Sequence, residues 1–297
     1  MRTNRLVTLL GLGLTACGPA PAPEVIDRPI TVADVGFATP ESVRHDPVAE
    51  VYLVSNINGS PLEADGNGFI SRLSPAGEVL ALKWIGGGAA GVTLDAPKGM
   101  AIVGDTLYVS DITRIRMFDR TSGAPLGELP IEGSTFLNDV AAGPDGTVYF
   151  TDTGMQAGAE GFVPSGSAAV FTLRGGVVTA LLRGDALQAP NGVAVMDGNL
   201  WLVGFGGNEL SRIADGGRQD IVALPAGSLD GLEFAADGVL VSSWEGQAVY
   251  FGPVGGPFTA VVSPVEAPAD IGYDAARHRV LIPLFNANEV RILPLAP

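Results

Sequence analysis

From residue 38 onward the chain alternates short apolar runs with turns rich in Gly, Pro and Asp, and one arrangement returns six times. Each copy has a short anchor, a small residue, an apolar strand, a tight turn and a second apolar strand. The clearest copies are APKGMAIVGDTLYVSD from Ala96, FLNDVAAGPDGTVYFTD from Phe136 and APNGVAVMDGNLWLVGF from Ala189. SLDGLEFAADGVLVSSW from Ser228 and APADIGYDAARHRVLIPLF from Ala267 follow, and ATPESVRHDPVAEVYLVSN from Ala38 is a divergent first copy. Their alignment makes one column of Glu41, Lys98, Asn138, Asn191, Asp230 and Asp270, at separations of 57, 40, 53, 39 and 40 residues. A blade of four antiparallel strands occupies about 40–45 residues. The two long intervals hold insertions, Ser60–Gly68 and Thr153–Ser167. Beyond the N-terminal segment no long stretch carries helical periodicity. The pattern predicts an all-β, six-bladed propeller of four-stranded antiparallel blades.

The end of the chain predicts how the ring closes. After Asp270 there is room for three strands, IGYDA, RVLIPLF and EVRILPL. The missing fourth strand is expected from Pro29–Phe37, which precedes the first anchor. That pairing leaves no open sheet edge and argues for one domain over residues 29–297.

Composition narrows the function. Seventeen basic against 32 acidic residues give a formal net charge of -15, which removes nucleic acid as a partner, since phosphate binding needs a basic surface. One Cys excludes an internal disulfide, and two His, His45 and His278, leave little room for His-based triads or His-rich metal sites. The N-terminus reads MRTNRLVTLLGLGLTACGPAPAPE: a basic start, then an apolar run from Leu6 to Leu14 too short to span a bilayer. Leu14-Thr15-Ala16-Cys17 resembles the lipobox of bacterial lipoproteins. The resemblance implies a signal peptide over residues 1–16, lipidation of Cys17 and an extended Pro/Ala tether over residues 17–28. Gly18, where an Asp would favour the inner membrane, implies an outer-membrane, periplasm-facing location.

The anchor column is the candidate site. In a propeller the first strand of each blade lines the channel, so the column should converge at one mouth. The loop after each second strand returns to that mouth, and both insertions fall in that loop, as overhanging walls. Three carboxylates in a narrow channel call for counter-charge, and Lys98 offsets one. A hard-oxygen set without His or Cys favours calcium, magnesium or manganese over zinc. The alternative is a metal-free network in which Lys98 and the two Asn satisfy the carboxylates. Phe205 and Trp244 should rim the same mouth, with Asp111 and Asp152 as loop caps. His45 and His278 belong to turns at the opposite mouth.

These segments resemble the SMP-30/gluconolactonase/LRE-like family over about residues 37 to 294. The third-blade Asn-Asp with its Pro-Asp-Gly turn and Tyr-Phe is similar to a family segment. So are the fourth-blade Pro-Asn-Gly and the fifth-blade Leu-Asp-Gly, and Glu41 matches a first-blade Glu. The resemblance implies Glu41, Asn191 and Asp230 as ligands of a divalent cation, calcium foremost, and Asp230 as base for water. It places Asn138 beside the substrate, and we expect Lys98 and Asp270 to join it there. The implied activity is hydrolysis of a small-molecule lactone or ester. Two departures stand out: the first motif runs ESVRH without the family's Pro and Trp, and Phe136 stands where the family carries a substrate-gripping Arg. The competing expectation is a non-enzymatic ligand-binding or scaffold propeller of the cell envelope, with a metal-free Lys/carboxylate site.

Overall fold

The computed structural model describes residues 28–295 except 90, 160, 236 and 237. The expected signal peptide, Cys17 and nearly all of the expected tether lie outside the described residues.

Six four-stranded antiparallel sheets form a six-bladed propeller. The innermost strands are Pro40–Asp46, Pro97–Val103, Leu137–Ala142, Pro190–Met196, Leu229–Ala235 and Gly272–Asp274, in blades one to six. The N-terminal strand Ile30–Val32 pairs antiparallel with Glu289–Pro294 and supplies the outer strand of blade six, as expected from Pro29–Phe37. The second insertion forms its own hairpin, Met155–Gly158 with Gly161–Pro164.

Burial follows position in the blade. The second strand Val51–Asn56 is buried throughout, because both of its faces meet neighbouring blades. The outermost strand Pro125–Pro130 is almost wholly exposed. One apolar cluster fills each seam between blades; the seam of blades four and five, for example, packs Trp201 and Leu210 against Val239 and Tyr250.

At the channel the inner strands crowd, which explains the glycine after the anchors of blades two, four and five. A Cβ on Gly192 would lie 2.3 Å from the Asp230 carbonyl oxygen, and one on Gly231 would lie 2.3 Å from the Ile271 nitrogen. Both distances are sterically forbidden, so the Asn-Gly and Asp-Gly pairs let adjacent blades close on the channel. Hydroxyls near the ends of the second strands of blades two, three and five tie each of these blades to the next. Thr151 Oγ1 donates to the Asn191 carbonyl at 2.8 Å, and Ser242 Oγ donates to the Ala269 carbonyl at 2.8 Å.

Candidate active site

That last bond corrects the alignment of blade six. Ala269, not Asp270, occupies the place that Asn191 holds in blade four. Strand register agrees: Pro190 pairs with Gly204 in blade four, and Pro268 pairs with Leu284 in blade six, so the residue after each proline is the anchor. Asp270 lies one step deeper, level with Ser42, Gly99, Asp139, Gly192 and Gly231. Its Oδ2 accepts from Ser42 Oγ at 2.5 Å.

The other five anchors converge as expected. Glu41, Lys98, Asn138, Asn191 and Asp230 line one cavity of about 500 Å³ at the channel mouth. Each is 5% exposed or less. Loop aspartates hold the segments that present them. Asp111 accepts from the Asp95 and Ala96 amides, ahead of Lys98. Asp152 accepts from the Thr135 and Phe136 amides, ahead of Asn138. The Asn138 amide nitrogen donates to Thr153 Oγ1 at 3.0 Å, and Thr153 donates in turn to the Pro190 carbonyl at 2.9 Å. The nitrogen of Asn138 is thus committed and its oxygen is left over.

Leftover oxygens are the main feature of this mouth. Glu41 Oε2, Asn138 Oδ1, Asn191 Oδ1 and Asp230 Oδ1 are buried without a hydrogen-bond partner. Buried acceptors normally find one. The electrostatics carry the same imbalance. Burial and then repulsion from Asp230 and Asp270 hold the Glu41 carboxyl well above its ordinary range, against the pull of Lys98. Burial and Asp270 also raise Asp230. The Trp244 indole and the Asn191 amide sit beside Asp230 and draw its pKa back, yet Asp230 Oδ1 and Trp244 Nε1 both lack a bond of regular geometry. Lys98 does not neutralise the group directly. Its Nζ donates to the Ala96 carbonyl at 3.0 Å and rests 4.7 Å from the Phe136 ring centroid. Burial pushes its pKa down to about 8, opposed by Glu41 and Asp111.

Below this layer lies a second acidic layer that the sequence reading missed. Asp139 is buried opposite Asp270 in blade order, and its oxygens accept from the Val140 and Val193 amides at 2.6 and 2.7 Å. Burial and Asp270 raise Asp139, while Arg44 lowers it. Arg44 pairs with Glu233 at the far end of the channel. There a second cavity of about 490 Å³ is lined by Arg44, His45, Arg120 and Glu233 among others. Arg120 is bound to Asp46, and His45 lies 3.6 Å from both Glu50 and Asp274. His278 sits in an exposed turn with Nδ1 3.1 Å from the Tyr273 hydroxyl. Both histidines are therefore remote from the anchor mouth.

Aromatic rings form the walls above the polar floor. Phe205 and Trp244 rim the cavity as expected, and Phe136, Phe162 and Phe285 join them. Phe285 extends the blade-six second strand beside the gap that Ala269 leaves in the polar ring. Both insertions reach the cavity, through Pro61 and through Met155 and Phe162. Among the described residues no group of three His, Cys, Asp or Glu side chains forms a metal site. The candidate set Glu41, Asn191 and Asp230 consists of two carboxylates and one carboxamide.

Comparison with solved structures finds this fold repeatedly. The gluconolactonase of Xanthomonas campestris superposes with a TM-score of 0.68 over 91% of this chain and 90% of its own, at 20% identity. A luciferin-regenerating enzyme gives 0.65 at 13% identity, covering 91% and 96%. A streptogramin B lyase gives 0.64 at 13% identity, covering 91% and 98%. The chain thus has the six-bladed architecture of gluconolactonase-like proteins. No protein-family model and no curated protein sequence matches the chain.

Proposed function

We propose that this protein is a divalent-cation-dependent hydrolase of lactones or esters, acting at the anchor mouth of the propeller. The observation that carries the reading is the set of four buried, partnerless oxygens on Glu41, Asn138, Asn191 and Asp230 around one cavity. They are hard acceptors, two of them on carboxylates whose protonation burial and mutual repulsion favour. A cation relieves both deficits at once. Glu41, Asn191 and Asp230 would hold it, with calcium the best match to an all-oxygen set and magnesium or manganese next. The gluconolactonase likeness supports the same reading.

Bound there, the cation supplies Lewis-acid polarisation of a carbonyl. The remaining work belongs to the chain. Asp230 accepts the proton of the attacking water through the carboxylate oxygen that the cation leaves free. The water oxygen bonds the acyl carbon, the acyl C–O bond breaks, and the departing oxygen takes up a proton. A lactone gains one water and opens to a hydroxy acid. Lys98 uses one N–H on Ala96, and its other donors serve the oxygen that gathers charge. Asn138, fixed by Thr153, orients the substrate. Asp270 stands one layer below and acts on these carboxylates through its charge. The same reading extends to location: lipid on Cys17 tethers the domain to the periplasmic face of the outer membrane.

The metal-free scaffold alternative draws less support, because Lys98 makes no direct ion pair with the carboxylates. Calorimetric titration with calcium, magnesium and manganese, combined with a lactone and ester panel with and without chelator, tests the proposal. We expect binding by the wild type, activity abolished by chelator and restored by metal, and loss of both in Glu41→Gln and Asp230→Asn. Failure of the wild type to bind any of the three ions, or turnover indifferent to chelator, overturns it.

A further inference from the structure

The cavity has two parts of opposite chemistry. Its floor is the ring of buried polar anchors. Its walls are aromatic, and the surface they present is overwhelmingly apolar. The rings form two packed groups, one on blade three and one running across blades four to six. In the first, Phe136 and Phe162 pack edge to face, with centroids 6.0 Å apart. In the second, Trp244 joins Phe205 at 5.4 Å and Phe285 at 5.2 Å. These belong to loops from separate blades, so the slot between them is open to a ligand.

The polar groups that line the slot lie on its floor, where the proposed cation and the reacting carbonyl would engage them. Thr153 gives and receives a hydrogen bond within the protein. Lys98 is the single cation of the lining, and Phe136 covers it. A polyhydroxylated ligand needs a partner for each hydroxyl it brings out of water. The walls offer only the Trp244 N–H, which sits beside Asp230, and each stranded hydroxyl weakens binding by roughly tenfold or more. A charged acid meets Glu41, Asp230 and the two deeper aspartates with one buried lysine in opposition. A neutral ligand with a flat or alkyl body meets no such obstacle, and offset or edge-to-face contact with rings of both groups favours it. The volume, about 500 Å³, suits a body of that kind.

The geometry points to an uncharged lactone or ester bearing an aromatic ring or an alkyl chain as the substrate, its carbonyl on the polar floor and its apolar body between the two ring groups. The same walls disfavour a sugar lactone, whose hydroxyls would face aromatic rings. This assignment rests on the hydrolase reading above but makes a separate demand on the data.

The test uses the full chain with calcium. γ-Lactones of increasing alkyl length and dihydrocoumarin, a benzo-fused δ-lactone, are compared with glucono-δ-lactone. Each buried methylene is expected to raise kcat/KM about fourfold until the slot is full. Dihydrocoumarin and the longer lactones should exceed the glucono-lactone at least a hundredfold. Phe162 is 53% exposed on its hairpin, so Phe162→Ala leaves the core intact. It should flatten the chain-length dependence, chiefly through KM, and Phe205→Leu provides a second, conservative variant in the other ring group. A flat series, or preference for the glucono-lactone, overturns the substrate assignment while the hydrolase reading stands. If no lactone turns over, tryptophan-fluorescence titration with the same compounds separates the two. Binding that tightens with chain length keeps the apolar ligand and discards hydrolysis. Absence of binding discards the apolar ligand as well.

Discussion

Asp270 offers a direct measure of how much the acidic channel costs the fold. The side chain is 1% exposed, with Oδ2 bound to Ser42 and Oδ1 partnerless. Burial pushes its pKa from 3.8 up to about 6, even though Arg44 and Ser42 pull the other way. An acid whose pKa is raised on folding binds its proton more tightly in the native state. Its contribution is therefore fully present below about pH 4 and is lost as pH rises through about 6. At about 1.4 kcal/mol per pH unit, the ionised carboxylate costs the chelated protein on the order of 3 kcal/mol at neutral pH. Asp270→Asn keeps the shape and an acceptor for Ser42 and removes the charge. Urea unfolding followed by tryptophan fluorescence, with chelator throughout, should find variant and wild type about equal near pH 4. The variant should pull ahead by about 3 kcal/mol near pH 7. Loss of repulsion on Glu41, Asp139 and Asp230 carries part of the gain to higher pH. A gap that stays constant across this range, or a variant less stable at neutral pH, refutes the argument.

Two more outcomes follow from the same structure and a third from the N-terminal sequence. Lys98→Met removes a buried positive charge beside Glu41 and should tighten calcium binding several-fold by calorimetry. A stability loss of about 3–5 kcal/mol without any calcium binding would instead mean that Lys98 is the counter-ion. Val32 is 5% exposed in the closing strand, so Val32→Asp buries an unpaired charge and should cost about 3 kcal/mol or more in denaturant unfolding. Thr31→Asp on the exposed side of the same strand should stay within about 0.5 kcal/mol. Cys17→Ala should release the protein from membranes or block its maturation in fractionation experiments. Unchanged retention would remove the lipid anchor from the picture.

The fold was legible because its logic is local and repeated. Each blade carries its own strand lengths and turns, and six copies reinforce one another. The closing strand was legible by subtraction, since blade six is one strand short. The site was legible at five of six positions for the same reason: Glu41, Lys98, Asn138, Asn191 and Asp230 all directly follow the proline or leucine that opens the inner strand. The sixth was misread because Asp270 matched the column by chemistry while Ala269 matched it by register. Pro268, equivalent to Pro97 and Pro190, was the signal that separated the two. The second acidic layer was hidden because Asp139 sits where most blades carry glycine or serine, and only packing between blades reveals that two carboxylates share the level. The aromatic walls were half visible. Phe205 and Trp244 end second strands, but Phe162 reaches the slot through a hairpin whose fold the repeat does not encode.

The closing strand has a consequence for the order of events during synthesis. Val32 pairs with Val290, so the first strand to be made waits for one of the last. Until those residues exist, blade six has no partner for its outer edge, and the seam that packs Val32 and Phe37 against Leu281 and Ile292 cannot form. A chain stopped short by one blade therefore lacks more than a sixth of its structure; it leaves Ile30–Val32 as an unsatisfied strand and the ring open. The site inherits this condition, because the anchor of blade one reaches its place only when blade six stands beside it, with the Asp270 amide bound to the Glu41 carbonyl at 2.8 Å. Ring closure thus acts as a check on the site: the mouth that gathers Glu41 with Asn191 and Asp230 comes into being only once the strand Glu289–Pro294 has been delivered.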